Sequence, residues 1–286
     1  MLPLVSTAFA AVSIEWVTVG DAGNEADPLT GFGAVDSEFL ISKYPVTYAQ
    51  YTEFLNAKAR SDPHGLFGSP SGGILRSGVA GAYTYSVTSG QENQPVAWVS
   101  WFRAARFANW LHNGQGDGDT ETGAYTLNGA TRGIFEVNPG ATIFLPSEDQ
   151  WYKAAYYNGE TQSYSLFPNG KDTITTAEAN FDNPWGGRVD VDHFPDTTSY
   201  YGTLDQAGNV SELTDGVIGN DRALWGGAFH IGEEYMRSTS EDVRRAYPAT
   251  GVTSTVGFRL AAVPEPGTSM VALLLGGTCM LRRRRG

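Results

Sequence analysis

Apolar residues recur at helical spacing in three short stretches of a chain that otherwise reads as brief strands and turns. In Val46 to Asn56, the side chains Tyr48, Tyr51, Phe54 and Leu55 fall on one face, and Thr47 stands where an N-cap belongs. Ser100 to Leu111 repeats that pattern, and Ser147 to Tyr156 does so again with Ser147 as the cap after Pro146. Each stretch predicts an amphipathic helix. Elsewhere the apolar runs are short, as in Glu38 to Ile41, Val96 to Val99, Ala223 to Trp225 and Gly257 to Leu260, with glycine, asparagine and aspartate between them. These read as strands joined by turns. No repeat of fixed period and no long polar linker interrupts the stretch from about Val12 to Ala262, so the pattern predicts a single α+β domain rich in loops. Loops on a rigid frame suit a protein that binds through its surface.

Composition narrows the chemistry. The chain has 286 residues, 41% hydrophobic, and carries 19 basic against 31 acidic residues for a net charge of −12. That apolar content excludes a wholly disordered protein, and the negative balance offers no broad positive field for a phosphate backbone, so nucleic acid is not an expected partner. The one cysteine, Cys279, excludes an intramolecular disulfide, a cysteine-rich zinc site and a CxxC redox pair. Any cation must then be held by oxygen or histidine.

The ends read as sorting signals. Residues 1–10 are apolar and close on Ala8-Phe-Ala10, a small-x-small pattern that reads as a shortened secretory signal peptide. At the other end Pro264-Glu-Pro266 precedes thirteen uncharged residues, Ser269 to Leu281, and then Arg282-Arg-Arg-Arg285. Thirteen residues rise about 20 Å as a helix, short of the roughly 30 Å hydrocarbon core, and the arginines would stay on the cytoplasmic side. Residues 263–286 thus resemble the PEP-CTERM sorting tag of Gram-negative bacteria. The resemblance implies export, an inner-membrane-anchored precursor with transient anchoring through the tag helix, cleavage by an exosortase, and release to the cell surface or extracellular matrix. Without the four arginines and Glu265, the 19 basic and 31 acidic residues become 15 and 30, a net of −15.

Residues 11–262 resemble the formylglycine-generating enzyme, or sulfatase-modifying factor, family. Six segments in order carry the likeness: Ile41 to Asn56, Gln94 to Trp101, Phe144-Leu-Pro-Ser-Glu-Asp-Gln-Trp151, Gly208-Asn-Val-Ser-Glu212, Trp225-Gly-Gly-Ala228 and Gly257-Phe-Arg259. The resemblance implies the family's irregular, loop-rich α+β fold, related to C-type lectins. It also implies oxidase chemistry by two copper-holding cysteines placed shortly after the Gly-Gly that Gly226-Gly227 match. Here those positions fall on Ile231 and Met236, and the serine that follows Gly-Gly is Ala228. Isoleucine has no lone pair for a metal, and a thioether cannot become a thiolate. Copper is therefore not expected, and the scaffold reads as catalytically inactive. The alternative is a rebuilt centre in which His230, Glu233, Glu234 and Arg237 serve a nonheme-metal oxidoreductase or a protein-modifying enzyme. Iron belongs only to that alternative, because His64, His112, His193 and His230 are scattered through the sequence.

Calcium is the cofactor that the resemblance does imply. One site matches Asp205, Gly208, Val210 and Glu212, and the other Asn180 with Phe181 and Asp192 with Phe194, a mixture of side-chain and main-chain oxygens that suits a hard cation. The tryptophan usual before the glutamate is Ser211. Asp117-Gly-Asp-Thr-Glu121 also suggests a calcium loop, but it lacks the glutamate at the twelfth position and the flanking helices, and reads as a solvated turn. The expected protein is a surface-sorted, calcium-binding module whose ligand is extracellular polysaccharide or an envelope protein.

Overall fold

The computed structural model describes residues 11–68 and 72–264. The expected signal peptide, and the tag from Glu265 onward with its apolar run and arginines, lie outside the described residues. Among the described residues no helix is long and apolar enough to cross a membrane.

Three helices form where the periodicity puts them. Helix α1 (Tyr48–Lys58) and helix α3 (Glu148–Tyr156) each begin with a capping box, in which Thr47 or Ser147 accepts from the main chain of the residue three on while that glutamine reaches back. Two otherwise unpaired N–H groups are thereby satisfied at each start. Helix α2 (Trp101–His112) is capped by the Ser100 hydroxyl. Thr47→Ala and Ser147→Ala are each expected to lower the unfolding free energy by about 1 kcal/mol, measured by urea titration. A change no larger than that of a surface Ser→Ala control would count against the caps.

The strands form two small sheets and two hairpins. Strands β1 (Trp16–Val19), β2 (Phe39–Ser42), β5 (Ile143–Phe144) and β12 (Ala261–Ala262) assemble antiparallel in the order β1-β2-β12-β5. The second sheet runs β10-β9-β8-β11 over Arg245–Tyr247, Asp221–Trp225, Ser211–Ile218 and Val256–Phe258. Its β8–β11 pairing is parallel, with Glu212 opposite Gly257. Strands β3 (Ile74–Ser77) and β4 (Thr84–Val87) make one hairpin, and β6 (Tyr157–Asn158) and β7 (Ser163–Tyr164) the other.

The run Val96 to Val99, expected as a strand, is not one. Trp98 takes a left-handed φ of 61°, and the N–H groups of Val96 and Trp98 donate to Val46 and Thr253, two different segments. A bulky side chain at positive φ breaks the two-residue alternation that a strand needs. The main core packs α1 and α2 against the sheets through Tyr51, Phe54, Phe107, Trp110 and Phe258. A second cluster, of Trp151, Tyr152, Tyr156 and Trp225, joins α3 to β9.

Candidate functional site

The floor of the site is a charged strut. Glu212 and Arg259 are both fully buried. Arg259 Nε donates to Glu212 Oε2 at 2.5 Å and Nη2 to Oε1 at 2.7 Å, while Trp151 Nε1 adds a third bond to Oε2 at 2.7 Å. The remaining guanidinium hydrogens go to the carbonyls of Ser42, Lys43 and Leu204. One arginine therefore ties the C-terminal segment to the first sheet, to the turn before Asp205 and to β8. A carboxylate offers about four lone-pair positions, and three are used here. Glu212, expected as a calcium ligand, is first of all the counter-ion of Arg259.

Above that strut lies an irregular turn. Asp205, Gly208 and Asn209 all adopt positive φ, at 58°, 77° and 60°, and Asn180 bridges to Gly208 as an isolated parallel pair. Asn209 N–H donates to the Asn180 carbonyl at 2.8 Å and Gly208 N–H to the Gly226 carbonyl at 2.7 Å. A Cβ on Gly208 would stand 2.2 Å from the Asn180 carbonyl oxygen, so only glycine permits this approach. Asn180 is fully buried, and its amide nitrogen donates to Gly187 at 2.9 Å and to Asn209 Oδ1 at 3.2 Å, yet its Oδ1 has no partner among the described residues. Asp205 Oδ2 is also buried and, among the described residues, without a partner. Burial pushes the Asp205 carboxyl up to about 8, with Arg259 opposing the shift and Glu212 and Asp192 adding to it. A chamber of about 10 Å³ adjoins it, lined by Asp205, Gln206, Thr203, Ser199 and Phe194 among others. That is room for one water-sized body.

The expected calcium residues are thus partly gathered. The isolated bridge joins Asn180, of the second expected site, to Gly208, of the first, in the turn that also carries Asp205; Phe181, Phe194 and Val210 are buried, and Asp192, expected to share the site of Asn180, is exposed. Two buried oxygens without donors fit a hard, oxygen-seeking cation. Among the described residues no three His, Cys, Asp or Glu side chains are placed to hold a metal ion, so any ion here would depend on main-chain and amide oxygens.

The loop after Gly226-Gly227 is held against the same turn, because Phe229 N–H donates to Asn209 and the Phe229 and Ile231 carbonyls accept from Asn183 and Asp182. Met236 is fully buried among Phe167, Ile174, Phe181 and Ala207, and Ile231 is half-buried. The proposed catalytic set does not converge. His230, Glu233, Glu234 and Arg237 are all exposed, and the Arg237 guanidinium lies over the Phe167 ring. A 3-10 turn at Glu233–Tyr235 carries Glu233 and Glu234 with no side chain buried, and these charged groups stay in solvent. The histidines are equally apart: His64 faces Glu121 at 3.5 Å, His112 pairs with Thr142, and His193 packs on Trp185. Asp119 caps its own turn through the main chain of Glu121 and Thr122, as a solvated turn should.

Arg245 is the residue that sequence reading missed. Ser211, in place of the tryptophan, accepts a bond from Arg245 Nη2 at 2.5 Å and donates to the Gly227 carbonyl at 2.8 Å, while the guanidinium stacks on Tyr235. Burial holds the Arg245 pKa below its usual value. A guanidinium thus lies against the site of the absent indole. The only signal was the loss of that tryptophan.

Comparison with known proteins places this frame. The crystal structure of CarF is 22% identical and superposes with a TM-score of 0.61 over 89% of this chain and 100% of that one. Treponema denticola variable protein 1 gives 18% and 0.57 over 92% and 100%, and PvdO from Pseudomonas aeruginosa 18% and 0.52 over 88% and 92%. At these identities the likeness is one of fold. No curated protein sequence matches the chain. The family model of the sulfatase-modifying factor enzyme 1-like domain matches residues 17–263, which spans both sheets and all three helices, and the chain belongs to that FGE-sulfatase family.

Proposed function

We propose that the chain is an exported, calcium-stabilised binding module built on the sulfatase-modifying factor scaffold, without the family's oxidase chemistry. The observation that carries the calcium reading is the pair of buried, partnerless oxygens, Asn180 Oδ1 and Asp205 Oδ2, on segments joined through the Asn180–Gly208 bridge. Leaving such atoms unsatisfied costs about 1–3 kcal/mol each, and a cation between loops would remove that cost while tying irregular backbone together. The loss of oxidase chemistry is supported by Ile231 and Met236 at the thiol positions and by the only cysteine of the chain lying at Cys279. Export, exosortase processing and a polysaccharide or envelope-protein ligand are supported by the two chain ends.

The test is metal content by mass spectrometry with thermal unfolding in calcium and in chelator. Calcium is expected to co-purify, and at a hundredfold excess over its dissociation constant to stabilise the fold by about 2.7 kcal/mol. Asp205→Asn should abolish most of that increment. A protein free of calcium whose melting temperature ignores chelator overturns the reading, as does stoichiometric iron or copper.

A further inference from the structure

A cleft of about 810 Å³ opens between the loop Asp21 to Leu29 and the β6–β7 hairpin, and a second lobe of about 420 Å³ lies on the other side of that hairpin, sharing Ser163 and Tyr164 with the first. The first lobe has no lining residue in common with the Asp205 chamber or with the loop after Gly227. Its walls are fixed. Asn24 donates to the Gly33 carbonyl and the Tyr164 hydroxyl, both at 2.8 Å, the Tyr164 hydroxyl donates to the Glu25 carbonyl at 2.9 Å, and Asp27 is held by Tyr152 Oη at 2.7 Å and Leu29 N–H at 2.9 Å. Lys153 Nζ pins the Asp21 carbonyl from behind at 2.7 Å.

We propose that this two-lobed cleft binds a neutral oligosaccharide laid across the hairpin, an inference that rests on the binding-module reading and names its ligand. Three features select that class. Among the described residues no lysine or arginine lines either lobe, while Asp21, Glu25, Asp27 and Asp172 do, so uronate, sulfate or phosphate groups would meet repulsion without a partner. The remaining polar lining is amide and hydroxyl, from Gln162, Asn158, Asn169, Thr161 and Thr198, which can both donate to and accept from sugar hydroxyls. Finally, Tyr200 lines the second lobe and is 45% exposed, offering aromatic surface to the C–H side of a pyranose. A basic peptide is the poorer fit. The Asp27 carboxylate is already spent, Asp21 holds the Tyr157 hydroxyl, and the Lys153 ammonium behind the floor offsets their charge.

The experiment is calorimetric titration of the full-length protein with cellotetraose, maltotetraose and chitotetraose, beside a hyaluronan tetrasaccharide and tetralysine. At least one neutral tetrasaccharide should bind, hyaluronan should not, and Tyr200→Ala and Glu25→Ala should each weaken binding by about tenfold. Both side chains are exposed, so unchanged melting temperatures serve as the fold control. Tighter binding of tetralysine or hyaluronan, binding that both variants leave unchanged, or no sugar binding at all overturns the proposal. Repeating the titration in chelator separates the two readings: the calcium reading fails in metal content and melting temperature, the cleft in the titration.

Discussion

Arg259→Leu is expected to cost about 3–5 kcal/mol of unfolding free energy. The side chain is wholly buried and divides its donors among Glu212 and three carbonyls from two segments. Removing it strands a carboxylate that is itself 0% exposed, with only the Trp151 indole left to answer it. Because a domain is stable by roughly 5–15 kcal/mol, the variant should be scarcely folded at 37 °C. Urea titration followed by tryptophan fluorescence measures the loss. The double variant Arg259→Leu with Glu212→Leu should recover part of it, since the desolvated charge then goes as well, and Arg259→Lys should fall between, lacking the two-pronged contact. A single-variant loss below about 1 kcal/mol, in the range of an exposed pair, would show that the pair is not the strut described.

Gly208→Ala is the second large effect. The residue needs φ of 77°, and a Cβ there would stand 2.2 Å from the Asn180 carbonyl oxygen. The left-handed backbone alone costs a non-glycine residue about 1–2 kcal/mol, and overpacking typically adds about 1–3, so a loss of about 2–5 kcal/mol is expected. The sharper readout is the calcium response. A Cβ at Gly208 would displace the Asn180 backbone that bridges to this turn, and on the calcium reading the chelator-sensitive part of the melting temperature should vanish even in the fraction that folds. Ala substitution at Gly219, whose φ is 64° with nothing within 4 Å of the added carbon, supplies the control for backbone strain alone. Equal behaviour of the two variants would remove the special role of the Asn180–Gly208 contact.

What the chain spells out locally was legible. The helices were readable because Thr47, Ser100 and Ser147 cap them and because Tyr48, Tyr51, Phe54 and Leu55 keep one face, all within a few residues of each other. Strand β8 was not, since its alternation is broken by buried Glu212 and Thr214 and by a register shift between Leu213 and Val217. Glu212 is buried for a partner 47 positions away, Arg259, which no local window of sequence contains, and Thr214 for the Ala223 carbonyl of the next strand, whose register the shifted pairing sets. The same holds for the site. Asn180, Asp205 and Gly208 could be named from a motif, but the exposure of His230, Glu233, Glu234 and Arg237 follows from how the loop after Gly227 turns. The two-lobed cleft was invisible because its walls come from residues 21–29 and 157–164, brought together by pairs such as Asn24 with Tyr164.

The placement of β12 has a bearing on how the molecule is made. Ala261 and Ala262 lie between β2 and β5, pairing with Ile41 and Leu40 on one side and Phe144 and Ile143 on the other. A nascent chain leaving the ribosome or a translocon amino end first can form its helices early, but its first sheet stays split in two until residues 261 and 262 arrive. Such distant closure is slow, and until it happens Phe39, Ile41 and the facing edge of β5 have open strand edges of the kind that aggregate. Synthesis of this chain should therefore leave those edges open until residues 261 and 262 have emerged to pair with both strands.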